Sequence, residues 1–61
     1  IGDHAFVAPG VVLCGGVRIA PRAFVGAGAI LLPLAEVGEG AVVQAGAVLA
    51  GTVAAGGFFA R

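Results

Sequence analysis

Glycine and proline are confined to one half of a six-residue repeat that runs through the chain. When hexads are numbered from Ile1, the twelve glycines and three prolines occur only at the second, third and fourth positions. The first and fifth positions are apolar in every hexad up to Ala60. A fixed period of this length predicts a stack of similar structural units, and we expect the frame to continue unbroken from Ile1 to Ala60.

The hexad predicts one short strand followed by one tight turn. Positions five, six and one would point inward, outward and inward, because successive side chains of a strand lie on opposite faces. Positions two to four would form the turn, where glycine reaches positive φ without a steric clash and proline fixes φ. Such short strands bury an apolar face only by coiling, with each coil hydrogen-bonded to its neighbours. The sequence therefore predicts an all-β fold, a parallel β-helix.

Composition excludes several classes of partner. The chain is 61% hydrophobic and 10% charged, with a formal net charge of zero, so it carries no basic surface for nucleic acid or acidic lipid. The charged side chains before Arg61 occupy only positions three, four and six, which the fold exposes. A single cysteine, Cys14, excludes an internal disulfide, and a single histidine, His4, excludes a cluster of histidine ligands, so we expect no metal.

The uncharged stretch 40–60 is long enough to span a bilayer as a helix. Its glycines, Gln44 and the persistent hexad pattern favour the β-helix instead. No signal peptide is visible, and we expect a cytoplasmic protein. The missing initiator methionine suggests that residues 1–61 are one β-helix segment of a longer chain.

The hexads resemble [LIV]-[GAED]-x-x-[STAV]-x, the repeat of the triangular β-helix, in which about three hexads make one coil, so this resemblance implies about three coils. Residues eighteen apart would then stack and divide the surface into three corners and three faces. At the second corner, small residues recur in each coil and leave the backbone accessible: Ala8-Pro9-Gly10, Gly26-Ala27-Gly28 and Gln44-Ala45-Gly46. A long thin ligand could bind this backbone, although glycine at position four is also explained by turn geometry alone.

The outward sixth positions predict two apolar faces and one polar face. One apolar column is Phe6, Phe24, Val42 and Ala60, and the second is Val12, Ile30 and Val48. The polar column is Arg18, Glu36 and Ala54. Exposed apolar columns indicate contact with another surface, so we expect a homotrimer of parallel prisms. The alternative is that another part of the same chain covers them.

The motifs IGDHxFxAPG, LCGG and FVGAGAxLLP, in this order and spacing, resemble those of the hexapeptide-repeat acetyltransferases that act on bacterial sugars. Within that family the chain is most similar to the sialic acid O-acetyltransferase and UDP-sugar N-acetyltransferase branch, over residues 1–53. The resemblance implies a left-handed, triangular β-helix and transfer of an acetyl group from acetyl-CoA to a hydroxyl or amine of a sugar or nucleotide sugar.

The resemblance also implies roles for particular residues. The backbone N–H of Gly15 would stabilise the oxyanion formed at the thioester. Coenzyme contacts would come from Phe6, Gly15, Ala27, Gly28, Ala45 and Gly46. The general base of the family is a histidine that would precede Ile1, and Phe6 stands where many relatives have a second histidine. His4 lies at an exposed turn.

Two alternative functions have to be compared with this sequence. A non-catalytic β-helix that serves as a scaffold or oligomerisation segment would explain Phe6 in place of histidine. A zinc-dependent prism of the carbonic anhydrase type requires several histidines at coil spacing, whereas this sequence has only His4. The acceptor sugar and the choice between oxygen and nitrogen are not determined by these residues.

Overall fold

The computed structural model describes residues 1–60, which form ten two-residue strands and, within that range, no helix able to cross a membrane. The strands are β1 (Phe6–Val7), β2 (Val12–Leu13), β3 (Arg18–Ile19), β4 (Phe24–Val25), β5 (Ile30–Leu31), β6 (Glu36–Val37), β7 (Val42–Val43), β8 (Val48–Leu49), β9 (Thr52–Val53) and β10 (Phe58–Phe59). Three parallel sheets result, with orders β1-β4-β7-β10, β2-β5-β8 and β3-β6-β9. Each strand pairs with the third strand after it, so the chain is a parallel β-helix of about three turns. This confirms the predicted fold class, while the left-handed sense stays a prediction.

Side chains at the first and fifth hexad positions fill the interior. Val25, Leu31 and Val43 are fully buried, and each is the second residue of its strand. The first residue of a strand points outward, as Phe24 and Val48 do. Small fifth-position residues complete the core: Ala23, Ala29, Ala35, Ala41 and Ala47. The predicted inward, outward, inward alternation is therefore confirmed through the central coils.

The corners explain where glycine and proline occur. Position four has positive φ in every regular corner, and it holds glycine in six of them: Gly10, Gly16, Gly28, Gly40, Gly46 and, in the shifted frame of the last coil, Gly56. At position three, no backbone N–H donates a hydrogen bond to another backbone group within residues 1–60. Proline, which has no N–H, therefore replaces a residue there without loss of a hydrogen bond. All three prolines occupy this position: Pro9, Pro21 and Pro33.

The prediction of an unbroken frame is wrong in the last coil. Partners in the earlier coils are eighteen residues apart, as in Phe6 with Phe24, whereas Val37 pairs with Val53, sixteen residues on. The N–H of Glu36 donates to the carbonyl of Gly51 at 2.9 Å, so Gly51 takes the place of a fifth-position residue. The corner between β8 and β9 thus lacks positions three and four, and Gly51 closes it with a φ of 95°.

This shorter coil changes the outward columns. Thr52, not Ala54, stacks on Glu36 in the polar column. Phe58, not Ala60, stacks on Val42 in the first apolar column. Phe58 is 64% exposed, so the first apolar face is more aromatic than the unbroken frame predicts.

Gly51→Ala tests the short corner. An L-residue in the left-handed region is strained, so we expect the variant to lose about 1–2 kcal/mol of unfolding free energy in thermal or urea denaturation. An unbroken frame would instead make Gly51 a third-position residue like Gly15, which lacks positive φ and has no atom within 4 Å of the place that a Cβ would occupy. Gly15→Ala is the matched control and should change stability little. Equal stability of both variants would contradict the short corner.

Candidate functional site

The second corner forms a continuous edge of small residues, here called the second-corner edge (8–10, 26–28 and 44–46). Successive coils are joined along it because the N–H of Gly28 donates to the carbonyl of Pro9 at 3.2 Å and that of Gly46 to Ala27 at 2.8 Å. The coils are in close contact there, since a Cβ on Gly26 would overlap the backbone nitrogen of Ala45. The residues predicted to contact the coenzyme on this edge are all exposed: Ala27, Gly28, Ala45 and Gly46. The structure therefore brings these four together.

Two backbone donors on this edge are free. The N–H groups of Ala27 and Ala45 occupy position three of successive coils and make no backbone hydrogen bond within residues 1–60. Strand neighbours stack at roughly 4.8 Å, so these two donors lie about one coil apart on the same exposed edge. Both residues are exposed, and their side chains are only methyl groups. A ligand with carbonyl groups can replace the water that otherwise bonds to them.

Gly15 lies on the third corner, not on the second-corner edge. It is exposed, and no atom lies within 4 Å of the position that a Cβ would take. Its N–H also makes no backbone hydrogen bond within the described residues, and its carbonyl accepts from the N–H of Leu34 at 2.9 Å. The face formed by β2, β5 and β8 separates Gly15 from Ala27 and Ala45. One chain therefore does not gather all the predicted site residues at one point.

Phe6 lies on the face that leads to the second-corner edge. Its side chain is 52% exposed and stacks on Phe24, with the ring centroids 5.2 Å apart and the planes at 16°. The ring supplies apolar surface and neither a donor nor an acceptor of a conventional hydrogen bond. Phe6 can therefore contact a ligand but cannot move a proton.

The polar face contains a concavity that the sequence did not predict. Its volume is about 340 Å³, and its lining includes Arg18, Glu36 and Thr52. Thr52 reaches this face only because the last coil is two residues short, which the unbroken frame did not anticipate. Neither Gly15 nor any residue of the second-corner edge lines the concavity. It offers charged and hydroxyl groups, whereas the second-corner edge offers backbone donors.

The remaining reactive side chains do not form a site. His4 is exposed, and Cys14 is a half-buried free thiol. On the first corner, Arg22 and Glu39 form an exposed ion pair at 3.7 Å, which contributes little to stability. Over residues 1–60, no three His, Cys, Asp or Glu side chains lie close enough to hold a metal ion.

Comparison with known proteins gives one match. The family model described as bacterial transferase hexapeptide (six repeats) matches residues 1–33, which is just over half of the chain. The matched part includes the IGDHxFxAPG, LCGG and FVGAGAxLLP motifs and two of the three segments of the second-corner edge, 8–10 and 26–28. No curated protein and no solved structure matches the chain.

Proposed function

The chain belongs to the bacterial hexapeptide transferase family, and from that premise we propose that it binds acetyl-CoA and takes part in acetyl transfer to a bacterial sugar or nucleotide sugar. The family indicates transferase activity of the acyltransferase type. The coenzyme, the sugar acceptor and the sialic acid O-acetyltransferase or UDP-sugar N-acetyltransferase branch are parts of the proposal. Fold by itself does not determine a reaction, so the proposal depends on the site.

The free N–H groups of Ala27 and Ala45 carry the proposal. The pantetheine arm of coenzyme A is long, thin and contains two amide groups. Its carbonyls can accept hydrogen bonds from backbone donors that are spaced along an edge. Gly28 and Gly46, which have no side chains, allow the arm to approach the backbone closely. An edge with bulky side chains would keep the arm at a distance.

Gly15 would act on the thioester itself. The acceptor hydroxyl or amine would attack the thioester carbonyl carbon and pass its proton to a general base. The base would return this proton to the sulfur as the C–S bond breaks, so that coenzyme A leaves as the thiol. Negative charge develops on the carbonyl oxygen during attack, and a fixed N–H donor stabilises it. The N–H of Gly15 is free to serve in this way. The base would be the histidine that the resemblance predicts before Ile1.

Assembly of three copies would resolve the separation of Gly15 from the second-corner edge. If neighbouring prisms pack side by side, the third corner of one copy can face the second-corner edge of the next. The outward apolar columns support such packing. One face carries the first apolar column, which consists of Phe6, Phe24, Val42 and Phe58. Another face carries the second, which consists of Val12, Ile30 and Val48. Sedimentation equilibrium would distinguish a trimer from the 5.8 kDa monomer.

A non-catalytic scaffold is the second candidate function. The stacked, exposed pair Phe6 and Phe24 favours it, because phenylalanine replaces a histidine of many relatives and adds apolar contact surface. The two functions differ in ligand binding: only the transferase requires acetyl-CoA to bind to the second-corner edge.

Ala45→Pro tests the proposal by removing one free N–H. The fold should accept proline, because the backbone nitrogen of Pro21 already lies against Gly2 in the same way that the backbone nitrogen of Ala45 lies against Gly26. We expect the affinity for acetyl-CoA in isothermal titration to fall about tenfold, equivalent to the loss of one hydrogen bond of about 1.4 kcal/mol. Thermal stability should be unchanged or slightly higher, since proline restricts the unfolded chain.

Glu39→Pro is the matched control for this experiment. Glu39 also occupies position three and also has a free N–H, but it lies on the first corner. Its substitution should leave acetyl-CoA affinity unchanged. Equal affinities for the wild type and Ala45→Pro would contradict binding through this N–H, and a folded wild type that binds no acetyl-CoA would favour the scaffold.

A further inference from the structure

Leu34 is an apolar side chain in an unusual place. It occupies position four of the third corner, with a φ of 68°, and its side chain is 74% exposed. Bulky residues rarely adopt the left-handed conformation, and glycine holds this position in six of the regular corners. Leu34 thus combines backbone strain with apolar exposure, and a glycine would have neither. Strained residues of this kind are frequent at ligand sites.

The contacts of Leu34 connect it to the predicted oxyanion donor. Its N–H donates to the carbonyl of Gly15 at 2.9 Å. Its Cδ2 atom lies 2.7 Å from the position that a Cβ on Gly16 would occupy. The leucine side chain therefore lies over the Gly15-Gly16 turn, and it fits there because Gly16 has no side chain.

The short last coil leaves Leu34 uncovered. In an unbroken frame Thr52 would stack on Leu34, but Thr52 lies in β9 and pairs with Glu36 on the polar face. Leu34 is also separate from the outward apolar columns, which run along the faces and not the corners. The side chain consequently stays exposed where it lies over Gly16, and the neighbouring Gly15 has no atom within 4 Å of its Cβ position.

We propose that Leu34 is a specificity-determining residue that packs against the methyl group of the acetyl thioester and excludes longer acyl chains. This inference rests on the proposed function. When the thioester oxygen bonds to the N–H of Gly15, the acyl carbon chain starts one atom away from that oxygen. An acetyl methyl then meets the leucine side chain, and a butyryl chain would collide with it.

The test compares affinities for acetyl-CoA, butyryl-CoA and free coenzyme A in Leu34→Gly and Leu34→Ala. We expect the wild type to bind acetyl-CoA about tenfold more tightly than butyryl-CoA, since pocket walls discriminate methylene groups by factors of this order. In Leu34→Gly the ratio should fall to about two or less, with Leu34→Ala between. Affinity for free coenzyme A should stay unchanged, because Leu34 contacts only the acyl group.

Arg22→Gly is the matched control. Arg22 occupies the same position in the same coil, with a φ of 62°, and its N–H donates to the carbonyl of Asp3 as that of Leu34 does to Gly15. Both glycine variants relieve the same strain, but only Leu34→Gly should change the acetyl to butyryl ratio.

Three outcomes would overturn the inference. An unchanged ratio of acetyl-CoA to butyryl-CoA affinity in Leu34→Gly refutes the role of Leu34, and so does a wild type that binds both equally. In either case, binding of the coenzyme leaves the proposed function intact. A wild type that binds neither acetyl-CoA nor free coenzyme A refutes both the proposed function and this inference.

Discussion

Leu31→Ala should lower the unfolding free energy by about 3–4 kcal/mol, the largest stability loss expected from any truncation of one side chain in the chain. Leu31 is fully buried in β5, where its side chain fills the interior of the central coil. Truncation removes buried methyl groups and leaves a cavity that the rigid coils cannot close. Small domains have stabilities of about 0.05–0.15 kcal/mol per residue, so this loss is a large part of the total stability of the chain. Most molecules of the variant should therefore unfold at moderate temperature. Circular dichroism during heating measures the loss.

Leu34→Ala is the matched control for this prediction. The same atoms are removed from a leucine that is 74% exposed, three residues along the chain. Because little buried surface is lost, its melting temperature should stay close to that of the wild type. Similar losses in both variants would mean that the inward and outward positions have been assigned incorrectly.

Ala27→Phe should reduce acetyl-CoA affinity by about a hundredfold. The phenyl ring would cover the second-corner edge and prevent the pantetheine arm from reaching the N–H groups of Ala27 and Ala45. Two lost hydrogen bonds of about 1.4 kcal/mol each correspond to this factor. Ala27 is exposed and its φ is not positive, so the fold should accept the ring. Isothermal titration of the folded variant measures the loss.

Glu39→Phe provides the comparison at the first corner. Glu39 occupies the equivalent third position, is exposed and has a free N–H. Acetyl-CoA should bind to this variant as tightly as to the wild type. A hundredfold loss in both variants would indicate a general effect of an added aromatic ring, not a site on the second-corner edge.

The hexad pattern determined most of the fold because local sequence and global structure repeat together. The inward positions of the central coils are apolar, as Val25 and Leu31 illustrate, and the turn positions contain nearly all the glycine and proline. Each coil needs only its neighbours for its hydrogen bonds. The strands and their parallel pairing could therefore be deduced without long-range information. The eighteen-residue register was predicted from the resemblance of the hexads to those of the triangular β-helix.

The register of the last coil could not be deduced in the same way. Val53 and Phe59 are apolar and six residues apart, so they fit position five of the unbroken frame and position one of the shifted frame equally well. The strand pairing of Val37 with Val53, the hydrogen bond from Glu36 to Gly51 and the positive φ of Gly51 distinguish the two frames, and all three are seen only in the structure. Glycine at position 51 was consistent with either corner.

The candidate site was partly accessible from the sequence. Glycine spacing identified the second-corner edge, and stacking by eighteen brought Ala27 and Ala45 together. The free N–H groups at position three required the hydrogen-bond geometry, although the prolines at that position were an available signal. The concavity beside Thr52 and the uncovered side chain of Leu34 depend on the short last coil, so the unbroken frame concealed both.

The most direct test of acetyl-CoA binding at the second-corner edge is a titration of ¹⁵N-labelled protein followed by amide correlation spectra. Binding through the free donors predicts saturable shifts of the Ala27 and Ala45 amide signals, while the Glu39 amide, equally free but on the first corner, stays in place. Unmoved Ala27 and Ala45 signals at high acetyl-CoA concentration, or shifts confined to the first corner or the polar face, would contradict the proposed function.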